Sequence, residues 1–186
     1  MNRWKTLESK YLHKSPFGNI RKDSCELPNG TVIEDYYVNE YAAWINAIVL
    51  TKDYKLVLVE QYRHVGEDFF LEVPAGKKEG NETDEEGIVR EVKEETGYIS
   101  EQKPILLGEF MVNPATQNNS VKTFLLLEAF QAYQQDLDET EDVKVRMVDF
   151  EQFGYQMTTK QIKSQLFTAN AYFMAKNYLR QKEVER

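Results

Sequence analysis

Cysteine is nearly absent from the chain: Cys25 is the only one in 186 residues, so an internal disulfide framework is excluded. Histidine is almost as scarce. His13 and His64 are the two, and neither has a Cys or His neighbour at the spacing a zinc or iron–sulfur centre needs. No apolar run approaches the roughly 20 residues of a membrane-spanning helix, and the opening MNRWKTLESKYLHK lacks the apolar centre of a secretory signal. Positive charge is also short, with a net charge of −8, which argues against broad electrostatic binding to nucleic acid or to an anionic membrane. What remains, 41% hydrophobic and 29% charged residues, is the composition of an ordinary soluble domain with its own core. A reducing, cytoplasmic setting is expected.

Residues 19 to 38 read as a hairpin, NIRKDSCEL and TVIEDYYV around the turn signal Pro28-Asn29-Gly30. This is taken as an N-terminal β extension, residues 1–40, in front of a main domain, residues 41–186. The segment that holds His13 is expected to be mobile. AAWINAIVL and KLVLVEQYR, joined by a turn at Asp53 and Tyr54, suit paired buried strands, and FFLEVPAG follows as a shorter one. Thr83 with Glu86 three residues on predicts a capped helix that ends at Gly97, with only a thin apolar stripe from Ile88 and Val92. ILLGEFMV, VKTFLLLEAF and VKVRMVDF are further strands. A closing helix is expected from Thr159, with Ile162, Leu166, Ala169, Tyr172, Phe173 and Lys176 along one stripe. Strands, helix, strands and helix in that order predict an α/β fold, a mixed sheet covered by helices on both faces.

Within the capped helix, REVKEETG sets Glu91, Glu94 and Glu95 in one turn. Like-charge neighbours there cost roughly 0.2–0.5 kcal/mol a pair, so a solvated face steadied by Arg90 and Lys93 is one reading. The other is that Glu91 and Glu95, about 6 Å of rise apart, turn their carboxylates to a common point and hold a hard divalent cation. Reading upstream, the chain has Gly76, five residues, Glu82, seven residues, Arg90-Glu91-Val92, one residue, Glu94-Glu95, one residue and Gly97.

That spacing resembles the signature of the Nudix hydrolases at every fixed polar and glycine position. Tyr98 stands where the family usually has an aliphatic residue. The resemblance implies a Nudix-type α/β/α sandwich and a magnesium cofactor, with manganese as a substitute. It implies Glu91, Glu95 and the main-chain oxygen of Ala75 as metal ligands. Glu94 and Glu82 would support the site, and Arg90 would hold the loop and helix carboxylates together. The chemistry is consistent: a pyrophosphate resists water until cations neutralise its oxygens. Gly76 would let the chain bend after its strand and pass beneath the carboxylates.

Outside that box, KLVLVEQYRHVGEDFFLEVPAGKKEG resembles the ADP-ribose and ADP-sugar pyrophosphatase branch. The branch implies an N-terminal β element, dimers with shared sites, and Arg63 facing the substrate; the alternative for Arg63 is an ion pair with a residue such as Glu72. In the acidic stretch DLDETED it implies Glu139 as general base and Glu141 as an additional metal-site carboxylate; the alternative is a solvated acidic turn. Tyr36 or Tyr37 could stack on adenine, although paired tyrosines in a strand also serve cross-strand packing. In NPATQNN, Asn118 and Asn119 put neutral groups where the branch has a carboxylate, which leaves the substrate's far end open.

The implied activity is hydrolysis of the pyrophosphate bond of a nucleoside diphosphate sugar, foremost ADP-ribose to AMP and ribose 5-phosphate. GDP-mannose, dinucleoside polyphosphates and damaged nucleoside triphosphates are alternative substrates. A non-catalytic module that senses nucleotide sugars is the alternative of another class.

Overall fold

The computed structural model of the chain describes residues 2–184. They divide into two compact units: residues 2–43 with Phe110–Val121, and Trp44–Glu109 with residues 122–184.

The first unit is built on three antiparallel strands in the order β1 (Lys5–Ser15), β2 (Gly18–Glu26) and β3 (Val32–Glu40). The Pro28-Asn29-Gly30 turn is as expected: Gly30 takes φ of 82°, and its N–H donates to the Leu27 carbonyl at 2.9 Å. The strand β1 was not expected, and His13, assigned to a mobile segment, pairs in it with Ile20. Its register slips between Thr6 and Glu8 and again between Tyr11 and His13. Each slip breaks the two-residue alternation by which a strand is recognised. The loop 113–119 docks on the end of β3, where the Asn39 N–H donates to the Thr116 carbonyl at 2.8 Å and Asn39 bridges Gln117 in parallel.

The second unit is a mixed sheet between helices. Its central strands run in the order β11 (Val143–Asp149), β5 (Lys55–Arg63), β4 (Trp44–Thr51), β10 (Ser120–Gln131) and β8 (Tyr98–Ile99). β6 (Asp68–Glu72) pairs with β5, β7 (Ala75–Gly76) with β4, and β9 (Ile105–Met111) with β10. Three helices complete it: α1 (Asp84–Thr96), α2 (Phe150–Thr158) and α3 (Leu166–Val184).

The continuous apolar runs are explained by burial on both faces. Alternation along β4 sends Ile45, Ala47 and Val49 to one side with Ile88 and Val92 of α1. It sends Ile48 and Leu50 to the other, with Phe150 and Phe153 of α2 and Ala171, Tyr172 and Ala175 of α3. β5 and β10 divide in the same way, with Val57, Phe124 and Leu126 toward α1 and Leu56, Leu58 and Leu125 toward α3. No helix among the described residues is long and apolar enough to cross a membrane.

A second expectation is corrected. The closing helix does not start at Thr159, because the chain first makes α2, then turns through Lys160 at φ of 60° and reaches Leu166 without helix. Ile162 packs on the core from outside the helix, and Phe173 is half exposed. The buried stripe is Thr168, Ala171, Tyr172 and Ala175, with small residues where α3 lies closest to the sheet.

Candidate active site

The helix α1 is fixed at both ends by its own sequence. At its start Thr83 Oγ1 accepts the Glu86 N–H at 3.2 Å, and the Glu86 carboxylate accepts the Thr83 N–H at 2.8 Å. That reciprocal cap satisfies two donors the first turn leaves open, and Asp84, Glu85 and Glu86 complement the helix dipole. At its end Gly97 adopts φ of 74°, and its N–H donates to the Lys93 carbonyl at 2.8 Å. A β-carbon on Gly97 would also stand 2.2 Å from the Tyr133 carbonyl oxygen, so a second chain segment passes where a side chain would be.

Between these caps, Ile88 and Val92 anchor one side of α1 in the core, which turns Glu91 and Glu95 toward β7 and the loop after it. The Glu95 carboxylate accepts the Ala75 N–H at 3.0 Å, and the Glu91 carboxylate accepts the Lys77 N–H at 3.2 Å. Gly76 lies between these contacts, and a β-carbon there would come 2.0 Å from the Glu91 carboxyl carbon. Its φ is not in the left-handed region. The glycine is therefore required for close approach and not, as the sequence suggested, for a sharp bend.

Arg90 cross-links the acidic groups. Its guanidinium donates to Glu82 at 2.8 and 3.2 Å, to Glu91 at 3.1 Å, to Glu94 at 2.9 Å and to the Lys77 carbonyl at 2.9 Å. These bonds raise the Arg90 pKa, and the same pairing holds the Glu82 carboxyl below its usual range. Glu82 also accepts the Glu79 N–H at 2.6 Å, which closes the loop beneath the helix.

Burial dominates the charge state of the two inner glutamates. It pushes the Glu95 carboxyl up to about 8, with added repulsion from Glu91 and Glu141 and partial relief from the Ala75 N–H and from Arg63. It pushes Glu91 up as well, against the attraction of Arg90. A carboxylate held with its neighbours in a poorly solvated place is a group that a cation would relieve. Among the described residues no three Asp, Glu, His or Cys side chains already converge as a metal-binding set. The two inner carboxylates are hard oxygen donors. They suit an ion that takes few protein ligands and keeps several waters, as magnesium does.

Two further segments reach this cluster. Arg63, at the end of β5, holds the buried Glu72 carboxylate through Nε at 3.0 Å and Nη2 at 2.6 Å. The ion pair anticipated as the alternative for Arg63 thus exists, yet Arg63 is 46% exposed and its charge still acts on Glu95. The acidic loop lies against the end of α1: Asp136 N–H donates to the Glu94 carbonyl at 2.9 Å, and Gln135 Nε2 to the Glu95 carbonyl at 2.7 Å. Glu141 acts electrostatically on Glu95 while accepting the Asp138 N–H at 3.0 Å, and Glu139 is exposed.

Tyr36, Tyr37 and Asn118 belong to the first unit. Tyr36 donates its hydroxyl to the Ala115 carbonyl at 2.7 Å and meets Trp4 edge to face at 5.9 Å, whereas Tyr37 is 52% exposed. Asn118 Oδ1 accepts the Tyr41 N–H at 3.2 Å. Sequence reasoning missed Gln135 and Tyr133, because a loop glutamine and tyrosine carry no periodic or motif signal.

Residues 4–39 match the nucleoside diphosphate sugar hydrolase N-terminal domain, and residues 41–170 match the NUDIX domain. The ADP-ribose pyrophosphatase of Bacillus subtilis (strain 168) is 30% identical over 148 residues, 79% of each chain. The methanol dehydrogenase activator of Bacillus methanolicus is 32% identical over 121 residues, 65% of this chain and 64% of that protein's length. A crystal structure of an ADP compounds hydrolase shares the fold, with a TM-score of 0.81 over 98% of this chain and 97% of that one at 15% identity.

Proposed function

The chain belongs to the Nudix hydrolase family, and from that premise we propose that it hydrolyses the pyrophosphate bond of a nucleoside diphosphate sugar, foremost ADP-ribose. One observation carries the reading: Glu91 and Glu95 are held side by side, poorly solvated, against the backbone of Ala75 to Lys77. Pure anion binding would be opposed by such a cluster, whereas hydrolysis assisted by divalent cations requires one.

Glu91, Glu95 and the Ala75 carbonyl would hold magnesium, or manganese in its place, with Glu141 as a further carboxylate. The bound ion would neutralise phosphate oxygens and stabilise the departing phosphate. Arg90 keeps Glu82, Glu91 and Glu94 in register, so the carboxylates do not have to reorganise during the reaction. Glu139, on the exposed loop, would take the proton of the attacking water. The water oxygen bonds to one phosphorus, the bridging oxygen leaves with the other, and ADP-ribose plus water gives AMP and ribose 5-phosphate. Arg63, anchored on Glu72, would face the diphosphate. Tyr36 or Tyr37 would flank the base, and Asn118 would contact the far sugar.

Cytoplasmic residence and a homodimer belong to the same proposal. The exposed Trp4, Leu7, Tyr11, Leu12 and Phe17 of the N-terminal segment support the dimer, which sedimentation at micromolar concentration would test. Function is tested by phosphate release, after phosphatase coupling, from ADP-ribose, other nucleotide sugars, dinucleoside polyphosphates and nucleoside triphosphates with millimolar magnesium. ADP-ribose should be consumed fastest. Binding of ADP-ribose without consumption would replace the hydrolase reading by that of a sensor.

A further inference from the structure

The last turn of a helix leaves its carbonyls without internal partners, and these must be satisfied from elsewhere. In α1 the Lys93 carbonyl is taken by Gly97, but the Glu94 and Glu95 carbonyls are taken by the acidic loop, through Asp136 N–H and the Gln135 side chain. Upstream, the Ala132 and Tyr133 N–H groups both donate to the Gly97 carbonyl at 3.0 Å, and the Lys93 ammonium lies 4.4 Å from the centre of the Tyr133 ring. The loop is thus the C-terminal cap of the helix that carries Glu91 and Glu95.

Gln135 does more than cap. Its Nε2 donates to the Glu95 carbonyl at 2.7 Å and to the Val143 carbonyl at 3.1 Å, so both amide protons are engaged. Val143 is buried and begins β11, where the loop ends. One side chain therefore ties the start of the segment 136–142 to its finish, and both to the residue that bears the buried Glu95 carboxylate. Glu139 and Glu141 lie inside that closed span.

We propose that Gln135 is a positioning residue for the hydrolysis: by clamping both ends of the acidic loop to α1, it sets where the loop carboxylates stand over Glu91 and Glu95. This rests on the reading in which that loop supplies the base. A cap of purely structural effect would alter melting alone. A clamp alters turnover through the loop carboxylate, and therefore shows coupling to it.

The side chain of Gln135 is on the surface, so Gln135→Met, which keeps length and loses both donors, leaves the core intact. Its kcat should fall at least tenfold with KM within twofold of wild type. Gln135→Lys, which retains donors of similar reach, should recover a third or more of the turnover. The coupling is read in whichever of Glu139→Gln and Glu141→Gln is itself slow; there Gln135→Met should cost less than a further twofold. Wild-type kcat in Gln135→Met, or a loss that multiplies in full with the acid variant, overturns the clamp while the loop base stands. Wild-type turnover in both Glu139→Gln and Glu141→Gln overturns the loop base on its own evidence, and the clamp with it.

Discussion

The carboxylate of Glu91 occupies the space that a β-carbon on Gly76 would need: such a carbon would stand 2.0 Å from the Glu91 carboxyl carbon. A backbone strand and an acidic side chain are packed closer than any side chain at position 76 would allow. The site is therefore a contact between two elements, α1 and the end of β7, and not a feature of the helix alone.

Gly76→Ala should fold, since the obstructing group is the far end of a flexible side chain, but it must push the Glu91 carboxylate aside. Turnover is expected to fall about a hundredfold, with a weaker magnesium response in melting experiments, because misplacement of about 1 Å near reacting groups has costs of that order. Near-normal turnover with an unchanged magnesium midpoint would show that Glu91 has no fixed duty.

The pH dependence of metal-free stability follows from Glu95. Its folded pKa of about 8 lies above the ordinary 4.5, so between those values the folded state holds a proton that the unfolded chain has released. Metal-free stability should therefore fall as pH rises through that window. Melting in chelator from pH 5 to 8.5 should show the decline, and Glu95→Gln, which cannot titrate, should flatten it. Magnesium should lift the wild-type melting temperature most at the high end, and Glu95→Gln should remove most of that rise. An equal slope in both proteins would refute the assignment.

Removing Arg90 should damage stability and turnover together. Arg90→Gln leaves Glu82, Glu91 and Glu94 without their shared cation. The group is partly exposed, so a loss of about 2 kcal/mol is expected, a drop of roughly 4–8 °C. Magnesium should restore part of it by replacing the missing charge. Denaturant titration with and without the ion measures both.

On the far face of the sheet, Gly154→Ala offers a control away from the site. A β-carbon there would stand 2.0 Å from the hydroxyl of the buried Tyr172, whose ring is flanked by Phe150 at 4.7 Å and Phe153 at 5.6 Å. Overpacking should cost about 2 kcal/mol. Turnover measured well below the melting transition should stay near wild type; a selective loss of kcat would tie α2 to the chemistry.

Sequence by itself determined the parts whose causes are local. The Thr83 and Glu86 cap, the Gly97 terminus and the buried runs of β4, β5 and β10 depend on residues within a few positions of each other, and so their period and spacing could be read directly. The acid box was legible for the same reason, since one helical turn fixes which glutamates share a side. Tertiary structure alone decided the rest. The bulges that hide β1, the break between α2 and α3, the space Gly76 must leave for Glu91 and the hold of Gln135 on Glu95 and Val143 all arise where segments remote in the chain meet. Burial makes the same distinction for charge: a glutamate's position is written in the chain, but its affinity for a proton is set by what the fold packs around it.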